Sequence, residues 1–147
     1  MIDPITAFAL AANIVQFIEV GYKATNLLHQ LWTESKTDEN LEVETAIKDL
    51  QDVCTKLTSP PQSSASLSED DTKLRTIAQS CQKLSTELEG VLKKLVVTSK
   101  AHDFKRRVEV MQKALRSMLE AKKITDLTQR LATMREQLAI RMMYILT

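Results

Sequence analysis

A chain of 147 residues with only 2 glycines and 3 prolines has few of the residues that hairpins and tight turns demand, which argues against a β protein. Its 44% apolar and 27% charged share is ordinary for one globular domain with its own core, and with aromatics at 4% the composition points to an all-α fold. The net charge of +1 conceals a split: residues 31–58 hold 3 basic against 7 acidic side chains, and residues 98–147 hold 11 against 5. Either those regions face each other or the basic end meets an anionic surface.

The first helix starts at Asp3-Pro4, where Asp can accept from free N–H groups and Pro suits the first helical position. It runs to about Trp32, which is expected to anchor its end, with Gly21 a candidate bend; TESKTDEN (33–40) then reads as loop. A second helix is expected over about 39–58, with Leu41, Ile47, Leu50, Cys54 and Leu57 on one face. SPPQSSASL (59–67) is expected to be a flexible internal loop, because its prolines stop the helix and its serines have no reason to pack. Ser68-Glu69-Asp70-Asp71 restarts a helix with a capping-box pattern and an acidic first turn.

The third helix carries the clearest seam: Leu74, Ile77, Cys81, Leu84, Leu88, Val91, Leu95. A fourth follows from about 103 through Phe104, Val108, Met111, Leu115 and Met118. A fifth runs through Ile124, Leu127, Leu131, Met134, Leu138, Met142 and Ile145, with a break expected near Ala121–Lys123. The expected architecture is one antiparallel bundle of four to five helices over residues 1–147.

Chemistry-bearing residues are sparse. Cys54 and Cys81 have neither metal nor redox spacing, and His29 and His102 stand apart from any ligand cluster. The sequence has no nucleophile elbow and no GxxxxGK[ST] phosphate cradle. It reads as a protein that is not an enzyme and uses no cofactor.

The opening segment is the informative one. No charged side chain occurs from Pro4 to Ile18, and the only charge ahead of it is Asp3, so the basic start of a secretory signal is missing. On a helix, Asn13, Gln16, Glu19, Lys23, Asn26 and Gln30 form one polar stripe, and most of the remaining circumference is apolar. Such a helix suits the centre of a bundle. It also suits conditional entry into a membrane, with the stripe (Asn13, Gln16, Glu19) turned to other copies or lining a pore. Pro4 to Ile18 makes roughly 22 Å of helix, short of a ~30 Å hydrocarbon core, so a lone permanent span is disfavoured.

Lys105-Arg106-Arg107 lies in the first turns of the fourth helix, where cations oppose the dipole. With Lys93, Lys94, Lys100, Lys122 and Lys123 these residues are candidate contacts for anionic lipid headgroups. The alternative is a solvated face paired with the acidic second helix. Nucleic acid is not expected, since the region offers only Phe104 and Tyr144 as aromatics and no binding motif.

The stretch Ala11-Ala12-Asn13-Ile14-Val15-Gln16-Phe17, preceded by Asp3-Pro4 and followed by Gly21, resembles the start of HeLo-like N-terminal domains of fungal NOD-like (STAND) receptors. LSEDDTKLRTIAQSCQKLSTELEGVLKKL (67–95) and LRSMLEAKKITDLTQRLATMREQLAIRMMYIL (115–146) look similar as well, so the resemblance covers nearly the whole chain. It implies a helical bundle acting as a cell-death effector, as in heterokaryon incompatibility and innate immunity. A nucleotide-binding oligomerisation domain would cluster such bundles in the cytoplasm, and the homo-oligomer would permeabilise the plasma membrane. By the same resemblance Ile5–Val20 is the membrane-active element, with Ile5, Phe8, Leu10, Ile14, Val15, Phe17 and Ile18 its apolar residues. No nucleotide-binding domain follows Thr147, so the chain is expected to be the N-terminal part of a longer receptor. At rest, Phe8, Ile14, Val15, Phe17 and Ile18 would be buried against the third and fifth helices, and Ile14→Glu would abolish killing while also putting the fold at risk. The alternative function is a helical adaptor that signals by homotypic bundle contacts, without a membrane step.

Overall fold

The computed structural model describes residues 4–33, 43–57, 69–100 and 103–146, and these form an all-α bundle. Its helices are α1 (Pro4–Thr33), α2 (Val43–Leu57), α3 (Glu69–Ser99), α4 (Phe104–Met118) and α5 (Ala121–Leu146). The expected loops at 33–40 and 59–67, like Leu41 and His102, lie wholly or almost wholly outside the described residues.

Local chemistry accounts for the boundaries that can be seen. Pro4 takes the first position of α1. Glu69, Asp70 and Asp71 fill the first turn of α3, where carboxylates oppose the positive end of the helix dipole. Asp103 caps α4, its side chain accepting from the Arg106 N–H at 3.1 Å. Cap and dipole therefore act in opposition at Lys105-Arg106-Arg107, and the cap secures the turn. The break between the last two helices falls at Leu119–Glu120, just ahead of the expected Ala121–Lys123. Leu119 is extended while its N–H still donates to the Leu115 carbonyl at 2.9 Å.

The core is one cluster to which all five helices contribute. The α3 seam is buried at Leu74, Ile77, Cys81, Leu84, Leu88 and Leu95, while Val91 is half-buried and Leu92 takes the buried place beside it. In α2 the buried residues are Val43, Leu50, Val53 and Leu57, with Ile47 and Cys54 half-buried. Helices α3 and α5 run antiparallel, as three contacts show in succession: Asp70–Arg141 at 2.7 Å, Cys81–Met134 at 3.8 Å and Glu87–Arg130 at 2.6 Å.

Helix α1 runs through Gly21 without a break. A Cβ there would sit 2.7 Å from Leu131 Cδ2, so the missing side chain lets α5 lie close against α1. Trp32 is half-buried at the far end of α1, as expected of an anchor. The Arg116 guanidinium lies 5.7 Å from its ring and donates to its carbonyl at 2.6 Å.

Candidate functional site

Helix α1 faces two ways. Ala7, Ala11, Ile14, Phe17, Ile18, Ala24, Leu28 and Leu31 are buried, so this helix supplies a large part of the core. Its outward line runs through Phe8, Ala12, Val15, Glu19, Lys23, Asn26 and Gln30, at spacings of four or three. From Glu19 onward that line is polar, and before Glu19 it is apolar. Phe8 is 50% exposed and Val15 45%, with Ala9 and Ala12 exposed beside them.

This corrects the expectation that Phe8 and Val15 are buried at rest. Helices pack against the Ile14–Phe17–Ile18 side of α1, but among the described residues no helix buries the line opposite, where Phe8 and Val15 stay about half-exposed. Leu10 is half-buried against the core, and of the side chain of Ile5 nothing is described. Ile14→Glu is consequently not a clean test of killing, because Ile14 is fully buried and a carboxylate there opposes folding itself. Of the polar stripe, Gln16 and Glu19 are exposed and Asn13 is half-buried, because spacings of three drift around the helix. Gln16 accepts from Lys56 of α2 at 3.2 Å.

Further apolar side chains are exposed near the C-terminal end of α5: Ile140, Met143, Tyr144 and Leu146. The outer α1–α5 seam is marked by Arg135, 5.7 Å from the Tyr22 ring. Val15 and Phe8 continue the Tyr22 edge toward the start of α1 at helical spacing, and Ala139 and Leu146 continue the Arg135 edge toward the end of α5. The outward line could have been found in the sequence by extending the polar stripe backward from Glu19 in steps of four and three.

The basic residues do not act as one group. Arg107 pairs with Glu44 of α2 at 3.2 Å, joining the basic and acidic regions at one point, and Lys93 pairs with Glu89 at 3.6 Å. Arg106, Lys100, Lys94, Lys122 and Lys123 are exposed, and the side chain of Lys105 lies outside the description. The starts of α4 and α5 are separated by the length of α4, about 22 Å for its 15 residues. Lys94 and Lys123, however, line one cleft between α3, the end of α4 and the start of α5.

Among the described residues no three His, Cys, Asp or Glu side chains gather as a metal site would need. No helix among the described residues is long and apolar enough to cross a membrane. What the outward face of α1 offers is apolar contact area already free of the core. The chain was compared with protein-family models, with curated proteins and with solved structures, and none of them matches it.

Proposed function

We propose that the domain is a membrane-active effector that works when clustered, meeting the bilayer first through the exposed apolar edge of α1 and permeabilising it as that helix enters. The observation that carries this is the pair Phe8 and Val15, half-exposed on a helix with no charged side chain from Pro4 to Ile18. Apolar side chains already exposed on a helix can enter the boundary between headgroups and acyl chains without the helix first leaving the core. The HeLo-like resemblance of Ala11–Phe17 supports the same reading.

Energetics order the steps. Releasing α1 whole would expose Ile14, Phe17, Ile18, Leu28 and Leu31, a cost of about 10 kcal/mol at about 2 each. That is comparable to the entire stability of an ordinary domain. Edge contact needs no unfolding and therefore comes first. Full entry follows only where neighbouring copies and lipid replace the lost core contacts.

The second reading, an adaptor working by homotypic contacts, is favoured by the same edge, since a second copy would cover it equally well. The test uses residues 1–147 fused to a trimeric coiled coil, with dye-loaded vesicles with and without phosphatidylserine. Leakage by the clustered protein, lost in a folded Phe8→Ser/Val15→Ser variant, supports the membrane reading. Silence from the clustered, folded protein sinks it. If self-association of the unfused chain is lost in the variant while vesicles stay intact throughout, the adaptor reading stands.

A further inference from the structure

The cleft between α3, α4 and α5 has a volume of about 490 Å³, within the roughly 300–1,000 Å³ of small-molecule pockets. Gly90, Val91, Met118, Leu119 and Leu127 line it, and Lys94 and Lys123 stand among the lining residues. The one carboxylate in the lining, Glu87, is bonded to Arg130 at 2.6 Å. No ion pair is formed by Lys94 or Lys123 among the described residues.

Two local choices here run against helix physics. Gly90 lies inside α3, where glycine is the poorest helix former after proline. Neither usual reason for a glycine applies, for its φ is not positive and an added Cβ would meet nothing within 4 Å. Gly21, by contrast, is held by the approach of Leu131. What the missing Gly90 side chain does is keep the cleft open. The second choice is Lys122-Lys123 in the first turn of α5, a turn without an acidic residue, where cations oppose the dipole. Glu120 stands just ahead of that turn, exposed and outside the cleft lining. An anion held in the cleft would relieve that repulsion, and a hydrocarbon chain would fill the space above Gly90. Local rules broken together at one place point to a site.

We propose that this cleft binds a single-chain anionic amphiphile. Its head pairs with Lys94 and Lys123, and its chain lies over Gly90 between Val91, Met118, Leu119 and Leu127. No residue of α1 takes part, so the site does not depend on the membrane reading.

The test is calorimetric titration of residues 1–147 in solution, without a bilayer and below micellar concentrations. The probes are decanoate, decyl phosphate and decyltrimethylammonium. One decanoate or decyl phosphate is expected per chain, and the stronger of the two tells a fatty-acid source from a lysophospholipid one. The cationic probe, with the same tail, is expected to bind at least tenfold more weakly. Lys94→Ala/Lys123→Ala should lose about tenfold toward the anionic probes, the scale of two solvent-exposed charge pairs. Gly90→Leu, whose Cβ enters open space, should stay folded by circular dichroism and lose binding, while Lys113→Ala should bind as the unaltered chain does. Equal affinity for the cationic probe, unchanged affinity in the double lysine variant, undiminished binding in folded Gly90→Leu, or no saturable binding would each overturn the assignment.

Discussion

The two glycines make a matched experiment on helix packing. Both lie inside long helices with ordinary backbone angles, so replacing either by Ala gains about 1 kcal/mol of helix propensity. At Gly90 that gain is unopposed, because the new Cβ meets nothing within 4 Å. At Gly21 the new Cβ lands 2.7 Å from Cδ2 of Leu131, a fully buried side chain on the facing helix, and 3.2 Å from its Cδ1. Overpacking of this kind costs about 1–3 kcal/mol. Gly90→Ala should therefore stabilise the domain by about 1 kcal/mol, and Gly21→Ala should leave it unchanged or destabilise it by up to about 2. Urea denaturation with matched m-values reads both, and the Gly90→Ala gain corresponds to about 2–4 °C in Tm. Equal stabilisation by the two substitutions would refute the close approach of α1 and α5, and with it the account of why α1 is central.

Other consequences are as direct. Phe17→Ala removes a fully buried ring from the middle of α1 and should cost about 3–5 kcal/mol, whereas Phe8→Ser, at a side chain 50% exposed, should cost only about 1 kcal/mol in the same denaturation assay. Asp103→Ala takes the acceptor from the Arg106 N–H and should cost about 1 kcal/mol, read as a lowered urea midpoint. Burial pushes the Cys81 thiol up from 9.0 to about 12, so in the folded protein it should resist a thiol reagent at pH 8 while half-buried Cys54 reacts first. Because the folded value is raised, this thiol's stabilising contribution is complete below about pH 9 and is lost as pH rises toward 12. Cys81→Ala should flatten that alkaline decline in denaturation midpoints.

Much of the bundle was legible because its signals are periodic. The alternating three-and-four spacing of α3 is buried almost throughout, Val91 giving way to Leu92, and the acidic turn at Glu69–Asp71 marked the helix start to the residue. Val53 was missed because it sits beside Leu50 and Leu57 in a stripe that was drawn through Cys54 instead. The site was harder to read. An apolar circumference on α1 says how much surface seeks cover but not how many neighbours arrive, and the bundle leaves the Phe8–Val15 side open. The approach of Leu131 to Gly21 leaves no mark in one dimension, where a glycine inside a helix reads the same with or without a close neighbour. The basic residues, close in sequence, part company once α4 separates two of the groups by its full length.

On the membrane proposal, the edge of α1 carrying Phe8 enters the acyl region when the domain is clustered. The most direct measurement places an environment-sensitive fluorophore on Phe8→Cys in a Cys54→Ser background, with the unreactive Cys81 left in place, and the same fluorophore on Lys113→Cys of α4. Emission and quenching by nitroxide-labelled lipids are then followed on phosphatidylserine vesicles, with the protein trimerised. The account predicts a blue shift and strong quenching by nitroxides on the acyl chain at position 8, and neither at position 113. Unquenched, unshifted emission at position 8 from bound, clustered, folded protein would contradict it.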